Sequence, residues 1–212
     1  SVKGEITDTF AIHENGNYLQ VLTSLTSSEP WENRVYVLDE NMEKIGKLTG
    51  LAEGEMIYSA RFVGTTGYFV TYRNTDPLFT VDFSNPRDPQ IIGELKVTGY
   101  SEYLHFWDDN RLLGIGYETD PDSGNTIGVK LSMFDISNPK KVTEEAKVVL
   151  SGADECEAMH NYKCALVNNQ KNIIAFTTEK YREGYQEHYR VFSYHLPDIE
   201  SLQNTRFATV DC

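Results

Sequence analysis

Cysteine is nearly absent from this chain, and so is any long hydrophobic run. Three residues, Cys156, Cys164 and Cys212, are too few for a disulfide framework, and their spacing matches no zinc motif. Cys156 and Cys164 are near enough in sequence to bridge a hairpin and equally suited to stand as free strand thiols. No stretch approaches the roughly 18 apolar residues of a membrane-spanning helix. The opening Ser1-Val2-Lys3-Gly4 has no signal-peptide core, so the piece reads as soluble, and secretion after removal of a leader stays open. Positive charge is short as well: 19 Lys and Arg face 32 Asp and Glu, a formal net charge of −13. Such a surface repels phosphate, which argues against sequence-independent nucleic-acid binding and against anionic membranes.

Helical periodicity is missing too, apart from a hint at Asp198 to Asn204 after Pro197. Organised catalytic signatures are lacking: there is no Gly-x-Ser-x-Gly elbow, no phosphate-binding loop and no His-Glu-x-x-His. What remains, with 40% hydrophobic and 12% aromatic residues, is enough to bury a core of short alternating strands.

Those strands come in a repeat. Val81-Asp82-Phe83-Ser84-Asn85-Pro86 and Phe134-Asp135-Ile136-Ser137-Asn138-Pro139 are one phrase used twice, roughly 50 residues apart, and Tyr36-Val37-Leu38-Asp39-Glu40-Asn41 is a weaker copy before them. A repeat of that length built from four strands is the mark of a β-propeller blade, so the chain is expected to be all-β, with about four blade modules near 1–50, 51–98, 99–150 and 151–212. A sandwich or barrel would need no such recurrence. In the first module strands are expected at Thr7–Ile12, Tyr18–Leu25, Arg34–Leu38 and Lys44–Leu48, and in the fourth at Ala158–Val167, Asn172–Thr178, Tyr189–Tyr194 and Arg206–Val210. Asp82 and Asp135 are expected to cap the turn after the third strand through bonds to nearby N–H groups, with Pro86 placed where no ladder donor is needed.

Candidate sites are few. Glu102-Tyr103-Leu104-His105 and Glu157-Ala158-Met159-His160 repeat a Glu-x-x-His phrase, and Arg61 takes the matching place in module two. First strands line a propeller's channel, so Arg61, His105 and His160 form an expected ring for an anion or, with neutral imidazoles, a metal. Glu and His three apart on a strand point to opposite faces, which weighs against a paired ligand set, and channel polar groups are commonly just solvated. Tyr181, Tyr185 and His188, in the last long loop, are a candidate contact surface for a protein or glycan, with Tyr189 shared with the next strand. Trp31 is a further platform candidate, whereas Trp107 is better suited to burial between blades. Asp120-Pro121-Asp122-Ser123-Gly124-Asn125 begins like a calcium loop, yet Leu131 stands where the closing Glu belongs, so a polar hairpin loop is the simpler reading. No catalytic residue, cofactor or metal site is assigned.

The segment from Asn33 to about Thr177 also resembles a bacterial family of secreted proteins with a C-terminal β-propeller distantly related to WD40 repeats. The resemblance rests on Arg34 to Asn41, Gly50 to Phe62, Asp76 to Pro86, Gly93 to Val97, Tyr103 to His105 and Val129 to Pro139 taken in order. It implies a propeller that is extracellular or surface-held in a bacterium, and it supplies no catalytic residues. Four modules are fewer than longer family members carry, so a fragment of a larger propeller is expected, its end at Cys212 fitting truncation. Blade edges left open would pair with missing blades or another chain. The functional expectation is a non-enzymatic scaffold for a protein or glycan partner. The alternative is a glycan lyase or hydrolase with its site on the channel.

Overall fold

Turn chemistry and period-two alternation together produce four antiparallel meanders of four strands each. The computed structural model describes residues 1–6, 8–27, 29–72, 76–182, 184–195 and 198–208. The first sheet is β1 (Ile12–Asn15), β2 (Tyr18–Leu25), β3 (Glu32–Leu38) and β4 (Lys44–Leu51), and the second is β5 (Met56–Val63), β6 (Thr66–Tyr72), β7 (Asp76–Asp82) and β8 (Gln90–Val97). The third is β9 (Tyr100–Asp108), β10 (Arg111–Thr119), β11 (Thr126–Asp135) and β12 (Thr143–Ser151), and the fourth is β13 (Leu166–Asn168), β14 (Ile173–Lys180), β15 (Gln186–His195) and β16 (Asp198–Ala208). Strands are hydrogen-bonded in chain order within every sheet. This is the all-β blade architecture that the repeat predicts.

The chain divides into two compact units, Ser1–Val97 with Pro139–Lys141, and Thr98–Asn138 with Val142–Cys212. In the first unit Leu22, Val35, Val37, Phe69 and Val81 are buried in one cluster. In the second, Leu104, Leu113, Leu131, Phe134, Phe176 and Phe192 are buried. Each such side chain contributes about 1.5–3 kcal/mol by leaving water.

The repeated aspartates do what turn chemistry requires. Asp82 Oδ1 accepts from Ser84 N at 2.8 Å, Asp135 Oδ1 from Ser137 N at 2.9 Å, and Asp39 Oδ1 from Asn41 N at 3.0 Å and Glu43 N at 2.9 Å. Bonds from Ser137 hold the Asp135 carboxyl below the ordinary carboxylate range. The turn also serves packing. A Cβ on Gly46 of β4 would overlap the carbonyl oxygen of Pro86, and one on Gly93 of β8 would lie 2.8 Å from that of Pro139. The proline of each long turn thus rests on a bare glycine in the outermost strand of the sheet before it.

Three elements differ from expectation. The first strand begins at Ile12 rather than running Thr7–Ile12, and Thr7 lies outside the described residues. The segment Ala158–Val167 is not a strand: 3-10 turns occupy Glu157–Met159 and Tyr162–Cys164, and β13 is only Leu166–Asn168. Bonds from Met159 N to Cys156 O and from His160 N to Glu157 O, both 3.1 Å, wind the chain there, and Asn161 Oδ1 caps the second turn from Lys163 N. Finally, Asp198 to Asn204 is extended, as part of β16, rather than helical. Cys156 and Cys164 are free thiols, and burial pushes Cys156 up to about 12. Cys212 lies outside the described residues.

Candidate functional site

The polar cluster of interest is built in the second unit by a β-bulge and a wound loop. In the β9–β10 pairing, Tyr103 faces Ile115 and Ser101 faces Gly116, so Glu102 is the extra residue. A bulge re-aims the side chain it inserts. It also presses β9 onto β10: a Cβ on Gly116 would overlap the carbonyl oxygen of Tyr100, so glycine is required there. The 3-10 turn at Glu157–Met159 then delivers His160 to the bulged carboxylate. His160 Nδ1 lies 3.4 Å from Glu102 Oε2, and its Nε2 lies 3.3 Å from Glu155 Oε1. That same Glu155 oxygen accepts the Tyr117 hydroxyl at 2.7 Å and Cys156 N at 3.1 Å. Tyr117, Glu155, His160 and Glu102 therefore form one continuous polar row.

The electrostatics follow from unequal burial. Glu102 is 14% exposed at its side chain and His160 56%. Burial raises the Glu102 pKa, the nearby His160 partly offsets this, and Glu155 adds to it. Burial, then the bond to Glu155, pushes the Tyr117 hydroxyl well above its ordinary range. The row thus holds protons on Tyr117 and presents carboxylate oxygens beside a solvent-reachable imidazole.

A main-chain bridge fastens the aromatic loop to this row. Glu179 N donates to Glu155 O at 2.9 Å, and Asp154 N to Glu179 O at 2.8 Å. Beyond the bridge, Tyr181 N donates to Asp154 Oδ2 at 2.8 Å and the Tyr181 hydroxyl donates to Glu179 Oε2. That bond first, and burial second, raises Tyr181 to about 12. The Tyr181 and Tyr185 rings lie 6.0 Å apart, and Tyr181 is 52% exposed. A cavity of about 310 Å³ opens beside them, lined by Tyr100, Tyr117, Ile127, Asp154 and Arg182, among others. His188 lines a second cavity, of about 200 Å³, with Thr178, Glu179 and Arg190.

The expected residues thus distribute unevenly. Glu102 and His160 meet, although not as neighbours on a strand. Glu157 and His160 stand on a 3-10 turn and its cap, so the Glu-x-x-His recurrence is one of sequence and not of blade position; Glu157 is exposed. His105 remains on β9, with its Nδ1 2.9 Å from the Tyr103 hydroxyl oxygen. Arg61 belongs to the first unit, where it is 7% exposed, its guanidinium 3.3 Å from the Phe10 ring centroid and its Nη1 donating to Ala60 O at 2.8 Å. Burial in a cation–π stack fits a structural role for Arg61. Trp107 is buried and meets Tyr194 edge-on at 6.1 Å, while Trp31 is partly exposed. Asp120 Oδ1 is engaged by its own loop, from Ser123 N at 2.8 Å and Asp122 N at 3.1 Å. Glu155, the hub of the row, escapes sequence reading because its partners are recruited from β10 and from the wound loop. Only the acidic run Asp154-Glu155-Cys156-Glu157 hints at it.

No helix among the described residues is long and apolar enough to cross a membrane. Solved structures with the same fold include a hypothetical selenium-binding protein from Sulfolobus tokodaii, at TM-score 0.61 and 12% identity over 94% of this chain and 55% of that one. Sqt1 from Chaetomium thermophilum follows at 0.56 and 15%, over 87% and 42%. At these identities the likeness concerns the fold alone. Among curated proteins, an uncharacterised protein of Archaeoglobus fulgidus is 42% identical over 82% of this chain and 26% of its own length. One of Methanocaldococcus jannaschii is 42% identical over 66% of this chain and 23% of its own. The chain spans about a quarter of these relatives, which are archaeal where the resemblance in sequence pointed to bacteria. The sequence profile of the beta propeller domain family matches residues 1–205, and the chain belongs to that family.

Proposed function

We propose that the chain is a binding module of a longer, extracellular or surface-held protein, and that its docking face is the Tyr181–Tyr185 pair with the carboxylates beside it. The observation that carries this reading is the tie between the exposed tyrosines and the polar row through the Glu155–Glu179 bridge. Aromatic rings offer flat apolar area at low entropic cost, and Asp154, Glu155 and Glu179 offer acceptors for hydroxyl or ammonium groups. A neutral glycan or a protein segment carrying such donors fits that combination. Extracellular placement rests on the resemblance described above and is checked by protease accessibility on intact cells.

Binding is tested by titrating a panel of neutral oligosaccharides and basic peptides against the protein and against a Tyr181→Ala, Tyr185→Ala variant. The expected result is binding by the parent and a loss of at least tenfold in the variant. Equal affinity in both would overturn the reading.

A second reading, a glycan lyase or hydrolase, is favoured by one observation: His160 lies between two carboxylates, one with a raised pKa, which is a working acid–base arrangement. Turnover of any panel glycan that is abolished by His160→Ala, with the fold retained, would select it.

A further inference from the structure

We propose that the cleft beside Gly46 in the first unit is a binding site for an oxyanion, a sulfate or phosphate group. The cleft, about 270 Å³, is lined by Tyr36, Lys44, Ile45, Gly46, Lys47 and Arg87. Three exposed cationic residues therefore line one small space in a protein whose net charge is −13. Among the described residues none of the three has an ion-pair partner; Lys44 Nζ lies only over the Tyr36 ring, 5.8 Å from its centroid. Like charges gathered without a counter-charge raise one another's energy, and an anion in the cleft relieves that.

Local structure brings them together. The β3–β4 pairing sets Val37 against Gly46 and Leu38 against Lys44, so Ile45 is a bulge and the strand bends between the two lysines. Lys47 is the partner of Tyr36 across the ladder. Arg87 follows Pro86, whose carbonyl rests on Gly46, so the turn that packs the two sheets also carries the third cation in.

Packing does not require these charges. The same clasp recurs at Gly93 and Pro139, and there Ile91 and Glu94 stand where Lys44 and Lys47 stand in the first sheet. In the third sheet the residue matching Lys47 is Lys147, and it is neutralised by Glu118 at 2.7 Å. Among the described residues Lys47 has no such carboxylate. The cationic cleft is thus a property of one place in the repeat and not of the repeat.

The test is calorimetric titration at low ionic strength with a sulfated disaccharide, its unsulfated counterpart and inorganic sulfate, against the protein and a Lys44→Gln, Lys47→Gln, Arg87→Gln variant. The expected result is binding of the sulfated disaccharide but not of its counterpart, weakened at least tenfold in the variant and by added salt. Displacement by millimolar inorganic sulfate supports a free oxyanion as the ligand, and resistance to it supports an oxyanion carried on a larger molecule. A Lys44→Arg, Lys47→Arg variant, which keeps the charge, is expected to retain binding. No heat from any probe up to about 10 mM, or equal binding by the neutral variant with its melting temperature unchanged, would overturn the proposal.

Discussion

At the junction of the first two sheets, β4 bulges at Ile45 and offers the bare Gly46 to the carbonyl of Pro86; at that of the last two, β12 bulges at the matching residue, Glu145, and Ala146 follows it. There the bulged carboxylate accepts Arg111 Nε at 2.7 Å and the Tyr194 hydroxyl, and Arg111 Nε also donates to the Tyr194 oxygen at 3.1 Å. The cause of the difference lies in the fourth sheet. Its strands β15 and β16 pair as far as His195 with Asp198, which leaves no room for the long turn that carries Pro86 and Pro139. One position in the repeat is thus closed by shape in one unit and by charge in the other. A junction closed by shape is intolerant of a single methyl and indifferent to pH. A junction closed by charge is the reverse.

The largest expected effect is therefore Gly46→Ala. Its φ is not in the left-handed region, so the cost is one of space: the new methyl meets a backbone carbonyl that cannot rotate away. Overpacking of this kind costs about 3 kcal/mol, read as a lowered urea midpoint. A loss below about 0.5 kcal/mol would show that the two sheets slide freely over one another and break the comparison.

Next comes Glu145→Ala, expected to cost about 2 kcal/mol because Arg111 and Tyr194 lose their common acceptor. The Glu145 side chain is 12% exposed and Arg111 29%, which keeps the figure below that of a fully buried pair. A double-mutant cycle with Tyr194→Phe separates the hydroxyl bond from the ion pair. Strict additivity would mean that the three groups do not act together.

How much of this was legible beforehand differs along the chain. The repeated Asp-x-Ser-Asn-Pro phrase announced the blades, because turn chemistry leaves its residues in plain order, and β2 falls at Tyr18–Leu25 as read from alternation. The partner of that phrase, a glycine in the preceding sheet, sits in the matching Ile45-Gly46 and Ile92-Gly93 pairs, but only the fold shows what the glycines face. Bulges defeated the period-two reading. The β15–β16 register skips Leu202, so Ile199 and Leu202 stand three apart and imitate a helical period. The bulge at Glu102 likewise breaks the alternation along β9, and the histidine that Glu102 meets is His160 of the wound loop, not His105 three residues along its own strand. In the wound loop, buried Ala158 and Met159 mimic an apolar strand, which concealed how His160 reaches Glu102 and Glu155.

Acid should distinguish the two units through Glu118 of β10, which pairs at 2.7 Å with Lys147 of β12. Burial would push this carboxyl up, but bonds from Lys147 and Thr98, and the charges of Lys130 and Lys147, outweigh it and hold it below the ordinary range. A depressed folded pKa means stability that is full above the unfolded value and lost as pH falls through the folded one. Glu118→Gln is accordingly expected to unfold more easily than the parent at neutral pH, with the gap closing on acidification. In the first unit Asp8 runs the other way: burial raises it, against bonds from Phe10 and Ala60 and the charge of Arg61, so it is less unfavourable in acid. Hydrogen exchange in a Glu102→Gln background, which removes a raised carboxyl from the second unit, should show amides near β12 losing protection before those near β5. The opposite order would reverse the assignment of charge to one junction and shape to the other.

The smallest effect tests the comparison most directly. If the second junction has no use for a bare backbone, Ala146→Gly should merely loosen the strand, costing about 0.5–1 kcal/mol through added freedom in the unfolded chain and the loss of a buried methyl. The Arg111–Glu145–Tyr194 contacts should survive, since none involves the Ala146 side chain. A gain in stability would mean that the methyl is strained where it stands, so that both junctions share one underlying need for space and the charged clasp was laid over it. The urea midpoint of this one variant, read beside that of Gly46→Ala, therefore decides whether shape and charge are true alternatives at this position of the repeat or successive layers of the same solution.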